Sequence, residues 1–213
     1  MVSFQSAPTV STLKKFGVSS RNAKAFSLVG DVARKTGLII CIRGMAARPV
    51  VEGWAGALSQ NGLLMDSTIG LIDDSITRNA LTKSPTLDVL AILDANLSAL
   101  DIYARPLLDV VLKRLVEPES TQQTTIFFAL TDSIGALPLP KTFERISVLI
   151  NLDANYDFNN DLDELKSDAF DPDDGYLFKR IWRPAANILR KQIETFNEDE
   201  QKLIFPILKG YSL

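Results

Sequence analysis

Apolar positions recur three and four apart at Ala23, Phe26, Val29, Val32 and Ala33, the stripe of an amphipathic helix from about 20 to 36. Ser19 and Ser20 can cap its start and Gly37 can close its end. Residues 1–11 show no such stripe and read as a loose lead-in. Leu38 to Ile42 is short, branched and wholly apolar, the pattern of a buried strand ending at Arg43-Gly44. A second helix fits from Pro49 to Asn61-Gly62, weakened at Gly53 and Gly56 unless something packs closely there. Leu63 to Ile72 reads as extended, with a break at Gly70. Ser84-Pro85 has the form of a helix start, and Leu87 to Leu97 is apolar on nearly every side, which predicts a central buried helix.

The next segment carries Asp101, Arg105, Asp109 and Lys113 four apart with alternating sign, a solvated stripe on a helix that Pro106 should kink or split. Thr124 to Phe128 is β-prone, although a buried helix also fits. Leu137-Pro138-Leu139-Pro140 is a rigid extended stretch, followed by helical patterns over about 141–151, 176–196 and 198–208, the last capped by Asn197. The expected fold is therefore mainly α: a compact, helical bundle-like domain with one or two short buried strands near 38–42 and 124–128. Glu117-Pro118-Glu119-Ser120 is the best linker. It separates an N-terminal region, 1–117, from a C-terminal region, 121–213, and the two can form one continuous domain.

Composition narrows the chemistry. None of the 213 residues is histidine and only one, Cys41, is cysteine. Ser-His-Asp and Cys-His machinery and imidazole-ligated zinc are excluded. Cys41 lies in the apolar run, where a buried, inert thiol is expected. Net charge is -3, so no general attraction to nucleic acid or anionic membrane is expected. No apolar stretch reaches the ~20 residues of a membrane span. The start lacks a basic segment followed by an apolar one, which points to a cytoplasmic protein or one delivered into a host cell without a classical signal peptide.

The acidic segment from Asp153 is the most chemical stretch. Asp153, Asn155, Asp157, Asn159, Asp161 and Glu164 place oxygen ligands at the spacing of a calcium-binding EF-hand loop, with helical patterns on both sides. Phe158 stands where that loop needs glycine, and Asn160 where it is normally apolar. The plainer reading is an acidic connection in which Asp and Asn supply turns and caps. No cofactor is required by the sequence; calcium or magnesium is what this segment could take. The acids of 153–174 can also pair with the basic residues of 179–191.

Gly17-Val18, Val32-Ala33, the apolar run Leu38 to Ile42 and Arg43 together resemble the opening of the catalytic domain of edema-factor-type toxin adenylyl cyclases. Gly70 to Arg78 is similar to that family's Gly-aromatic-Ile segment, and Ala154-Asn155-Tyr156-Asp157 to its metal-binding Ala-Asp-Tyr-Asp. The matches run in the same order and cover under a quarter of the chain. The departures fall on the chemistry: residues 44–82 contain no lysine, histidine is absent, and Asn155 stands at the first metal-binding aspartate. The resemblance thus implies a related scaffold without cyclase activity.

The function expected from these observations is non-enzymatic: a protein-protein interaction, regulatory or assembly subunit of effector type. Its partner would be another protein or a second copy of itself. Trp54 and Trp182 are candidate interface anchors, with core packing the alternative for each, and Arg180 and Arg183 are candidate contacts. The alternatives are a metal-dependent enzyme or calcium-binding domain centred on Asp153–Glu164, a degenerate cyclase-like domain, and an anion binder using Arg43, Arg48 and Arg78.

Overall fold

The computed structural model describes residues 6–83, 87–116, 124–159 and 188–208. Five strands, β1 (Ile39–Arg43), β2 (Gly62–Asp66), β3 (Val89–Leu93), β4 (Thr125–Leu130) and β5 (Ser147–Asn151), form one parallel sheet in the order β2-β3-β4-β1-β5. The helices are α1 (Ser6–Lys15), α2 (Ser20–Thr36), α3 (Ala47–Leu58), α4 (Ser75–Lys83), α5 (Leu100–Tyr103), α6 (Arg105–Val116), α7 (Lys141–Arg145) and α8 (Glu198–Leu208). A helical stretch at 188–193 precedes α8. The fold is α/β, so the expected mainly helical bundle is corrected to a parallel sheet covered by helices. Within this sheet β4 and β5, from 121–213, flank β1, from 1–117.

Parallel strands covered on both faces read as unbroken apolar runs rather than alternating ones. β1, β3 and β4 obey this rule: every residue of Val89–Leu93 and Thr125–Leu130 is buried, as are Ile39 to Ile42. The central helix expected over Leu87–Leu97 is therefore strand β3 followed by a short 3-10 turn at Ala95–Leu97. Its proposed start at Ser84-Pro85 lies outside the described residues. The helix expected over 141–151 lasts only from Lys141 to Arg145 before the chain becomes β5. The lead-in contains α1 rather than loose chain.

Several local signals act as read. The Ser19 hydroxyl accepts from the Asn22 amide at 3.2 Å, and Gly37 closes α2 in the left-handed region at φ 74°. Pro106 separates α5 from α6 at Ala104. Asn197 and Glu200 exchange hydrogen bonds at the start of α8 in a capping box.

The β1-to-β2 crossover runs one way along the sheet and the later crossovers run the other way. Right-handed connections then put α3 on one face and α4 to α7 on the other. The packing agrees: α3 touches α1, which touches α2, which touches α8, whereas α4, α5, α6 and α7 form the opposite layer. Trp54 on α3 lies 2% exposed against Phe127 of β4, with ring centroids 5.5 Å apart. Its indole fills the space above Gly30 of α2, where an added Cβ would lie 2.5 Å from Cζ2. Gly53 plays the same part between α3 and Phe16 in the turn after α1, where an added Cβ would lie 2.3 Å from the ring.

At the amino edge, Asp88 ties the α3–β2 turn to the start of β3. Its carboxylate accepts from the Gln60 amide at 2.6 Å, the Asn61 amide at 3.0 Å and the Ser59 hydroxyl at 2.9 Å. Burial pushes this carboxyl up, but those donors outweigh it and hold it below the ordinary value. The ionised form thus stabilises the fold above the unfolded pKa of about 3.9 and ceases to do so as pH falls through the lower folded value. Asp88→Asn should cost about 1–2 kcal/mol at pH 7. The deficit should shrink below about pH 3 in denaturant titrations of both proteins.

Candidate functional site

In a sheet whose strands all run one way, every strand ends at the same edge, and ligands of open α/β sheets bind there, at the point where strand order reverses. Here that point lies between β4 and β1, because the chain leaves β1 toward β2 and leaves β4 toward β5. The β1–α3 loop is Gly44-Met45-Ala46. It has one glycine, at φ 126°, and none of the Lys-Ser/Thr chemistry of a phosphate loop. The chain's own Asp153 takes the position an anion would use: its Oδ2 accepts from the Met45 amide at 3.1 Å. An added Cβ on Gly44 would come within 2.9 Å of that oxygen, so a larger residue there would displace it.

The arginines expected to grip an anion are each held by acids. Arg43, at the end of β1, donates through Nε and Nη2 to Asp132 Oδ1 at 2.8 and 2.6 Å. Arg48, in the first turn of α3, contacts three carboxylates: Asp94 at 2.6 Å, Asp66 at 2.6 Å and Glu52 at 3.2 Å. Arg78 pairs with Asp74 at 2.6 Å, on α4 and its leading turn. Hydrogen bonding by Asp132 to Arg43, and by Asp94 first among the partners of Arg48, raises the pKa of both guanidiniums, so they stay charged. Asp94 reaches Arg48 from a left-handed backbone, φ 51° and ψ 38°, which aspartate tolerates better than most side chains.

Side chains then stitch the loops of this edge together. Asn96, 7% exposed, donates to the carbonyls of Thr131 at 2.9 Å and Leu137 at 3.1 Å and accepts from the Thr131 amide at 2.8 Å. This joins the loops after β3 and β4. Ser98 donates to the Thr68 carbonyl and accepts from the Leu71 amide, joining the loops after β3 and β2. The loop after β5 is held by the Tyr156 hydroxyl, which accepts from the Asn151 amide, and by Arg21, which donates to the Phe158 carbonyl and sits 5.0 Å from its ring.

Against this polar framework, four large apolar side chains point to water. Met45 is 96% exposed, Ile69 74%, Ile72 82% and Ile134 fully so. They lie on the loops after β1, β2 and β4, all at the carboxyl edge. Strand spacing spreads these loops over roughly 15 Å. Beside them a cleft of about 410 Å³ is lined by Arg43, Asn96, Asp132, Leu137 and Leu149, among others. The loop segments 44–46, 67–74, 94–99, 131–140 and 152–159 contain aspartates but no lysine or arginine.

The residues singled out from sequence distribute as follows. Trp54 is a core residue, the alternative weighed for it, and not an exposed anchor. Asp153, Asn155, Asp157 and Asn159 fall on the loop after β5, where Asp153 holds the Met45 amide and Asp157 accepts from the Asn159 amide in a local turn. Strand β5 stands where an EF-hand has its first helix, and Phe158 is buried at the position that wants glycine. Asp161, Glu164, Arg180, Trp182 and Arg183 lie outside the described residues. Among the described residues, no group of three or more acids or cysteines is placed to hold a metal ion. Cys41 is fully buried and its thiol is pushed up to about 12.

Met45, Ile69, Ile72 and Ile134 were not legible as a set. Each stands next to Gly, Ser or Asp in a loop, which is the available signal; that they share an edge depends on strand order. Among the described residues, no helix is long and apolar enough to cross a membrane. No protein-family model matches the chain, and no curated protein matches it significantly.

Proposed function

We propose that this protein is a recognition module without catalytic activity, which binds another protein through the carboxyl edge of its sheet. The observation that carries this is the pairing of opposites at that edge. The ionic groups that would hold a substrate are engaged with one another, while Met45, Ile69, Ile72 and Ile134 are exposed on loops anchored by Asn96 and Ser98. Exposed apolar groups on an ordered frame suit association, because little conformational entropy is lost when they are covered. The cleft beside Leu137 and Leu149 can receive an anchoring side chain.

The test is a double variant, Met45→Asp with Ile134→Asp. Both positions are solvent-exposed, so thermal unfolding should be unchanged. Affinity capture from the cells that make the protein, quantified against the parent chain, should lose its specific partner at least tenfold. Undiminished capture would place the binding surface elsewhere. Turnover of a nucleotide or ester that disappears in Arg43→Ala would replace this reading with an enzymatic one.

A further inference from the structure

A second surface is independent of the carboxyl-edge loops. Strand β2 lies at the end of the sheet and, among the described residues, pairs with β3 alone. It pairs over its whole length, Gly62 with Val89 through Asp66 with Leu93, so no bulge turns its outer edge away. Four of its five residues are exposed, including Leu64 at 52%. The devices that usually protect such an edge, a lysine, a proline or a bulge, are absent from Gly62-Leu63-Leu64-Met65-Asp66. The opposite edge differs: in β5, Ser147, Val148 and Ile150 are buried.

We infer that β2 is a homodimerisation strand, which pairs antiparallel with the β2 of a second copy about a two-fold axis at Leu64 and joins two five-stranded sheets into one. The sequence of the strand complements itself in this arrangement. Leu64 faces its own mate, Leu63 faces the partner's Met65, and Asp66 faces the partner's Gly62. No like charges oppose each other. Parallel pairing in register would set Asp66 beside its mate and is disfavoured.

The side chains on the two faces support the same arrangement. Asp66 reaches Arg48 of α3, so Leu64 shares that face by strand alternation. Leu63 and Met65 line the other face, in an apolar groove of about 370 Å³ with Ile76 and Ala80 of α4 and with Leu87. Pairing brings the two grooves together across the axis and covers Leu63, Met65 and Ile76 of both copies.

Thiol cross-linking tests the pairing and its register. Opposed side chains on antiparallel strands have Cβ atoms ~5 Å apart, and diagonal neighbours are ~7–8 Å apart. Under mild oxidation, Leu64→Cys should convert most of the protein into a covalent dimer. Leu63→Cys, whose thiols would meet only diagonally, should cross-link at least fivefold more slowly. Cys41 is buried and does not compete. In sedimentation equilibrium the parent protein should reach twice the monomer mass as concentration rises. Leu64→Lys, with an unchanged circular dichroism spectrum, should remain monomeric. A parent chain that stays monomeric throughout overturns the proposal, as does cross-linking from Leu63→Cys as fast as from Leu64→Cys. Either result would leave the carboxyl-edge reading standing, since none of its residues is altered.

Discussion

Trp54→Ala should lower the unfolding free energy by about 4 kcal/mol, within the range for truncating a buried large aromatic residue. The indole is 2% exposed and packs on Phe127. It also occupies the space left by Gly30, so its removal opens a cavity between α2, α3 and the sheet. α2 and α3 cannot collapse freely into that cavity, because α1 packs against both. Urea titration monitored by far-ultraviolet circular dichroism reads the change as a lower midpoint at unchanged slope. An interface anchor would behave differently. If Trp54 served binding rather than packing, its loss would leave the midpoint within about 0.5 kcal/mol of the parent.

The second large effect belongs to Asn96. Asn96→Ala removes three hydrogen bonds and leaves the amide of Thr131 and the carbonyls of Thr131 and Leu137 without that partner. Losing buried partners costs more than the bonds themselves contribute, so about 3 kcal/mol is expected. The consequence for function is separate from stability. The loop from Thr131 to Pro140 carries Ile134 and walls the cleft; the Asn96 side chain ties it to the turn after β3 at Thr131 and Leu137, and only the backbone bond from the Leu137 amide to the Asn96 carbonyl survives the substitution there. Amide exchange at 131–137 should accelerate more than exchange in β1 or β3. Equal acceleration in loop and strands would mean that Asn96 only supports the fold as a whole.

These two residues also show where sequence reasoning succeeded and where it stopped. Ser19, Gly37, Pro106 and Asn197 act through their neighbours in sequence, and their roles were legible. β1 was legible because its run is short and branched. Leu87 to Leu97 was misread because a continuous apolar run has no period, and a buried helix and a buried parallel strand look alike without one. With β3 taken for a helix and β5 absorbed into α7, only two buried strands and the extended stretch from Leu63 remained, and a parallel sheet could not be recognised. Trp54 and Asn96 depend on contacts that topology alone creates. Trp54 lies over a glycine 24 positions earlier, and Asn96 binds loop atoms 35 and 41 positions later.

The same dependence governs the candidate site. Asp153 was legible as an acid with ligand spacing. Its use as an internal partner for the Met45 amide, 108 residues away, follows only when β1 and β5 are neighbours. Arg43 and Arg48 were visible as cations, but not the acids that neutralise them, which arrive from the ends of β2, β3 and β4. An edge that looks basic in one stretch of sequence and acidic in another becomes self-paired once the strands are ordered.

The most direct test is site-specific photo-cross-linking in living cells, with a photoreactive residue placed in turn at Met45, Ile72, Ile134 and, as a control on the other side of the molecule, Lys113. Attachment of the same protein from the first three positions, and not from Lys113, is the result expected of a carboxyl-edge recognition surface. No adduct from those three, or one only from Lys113, would contradict it.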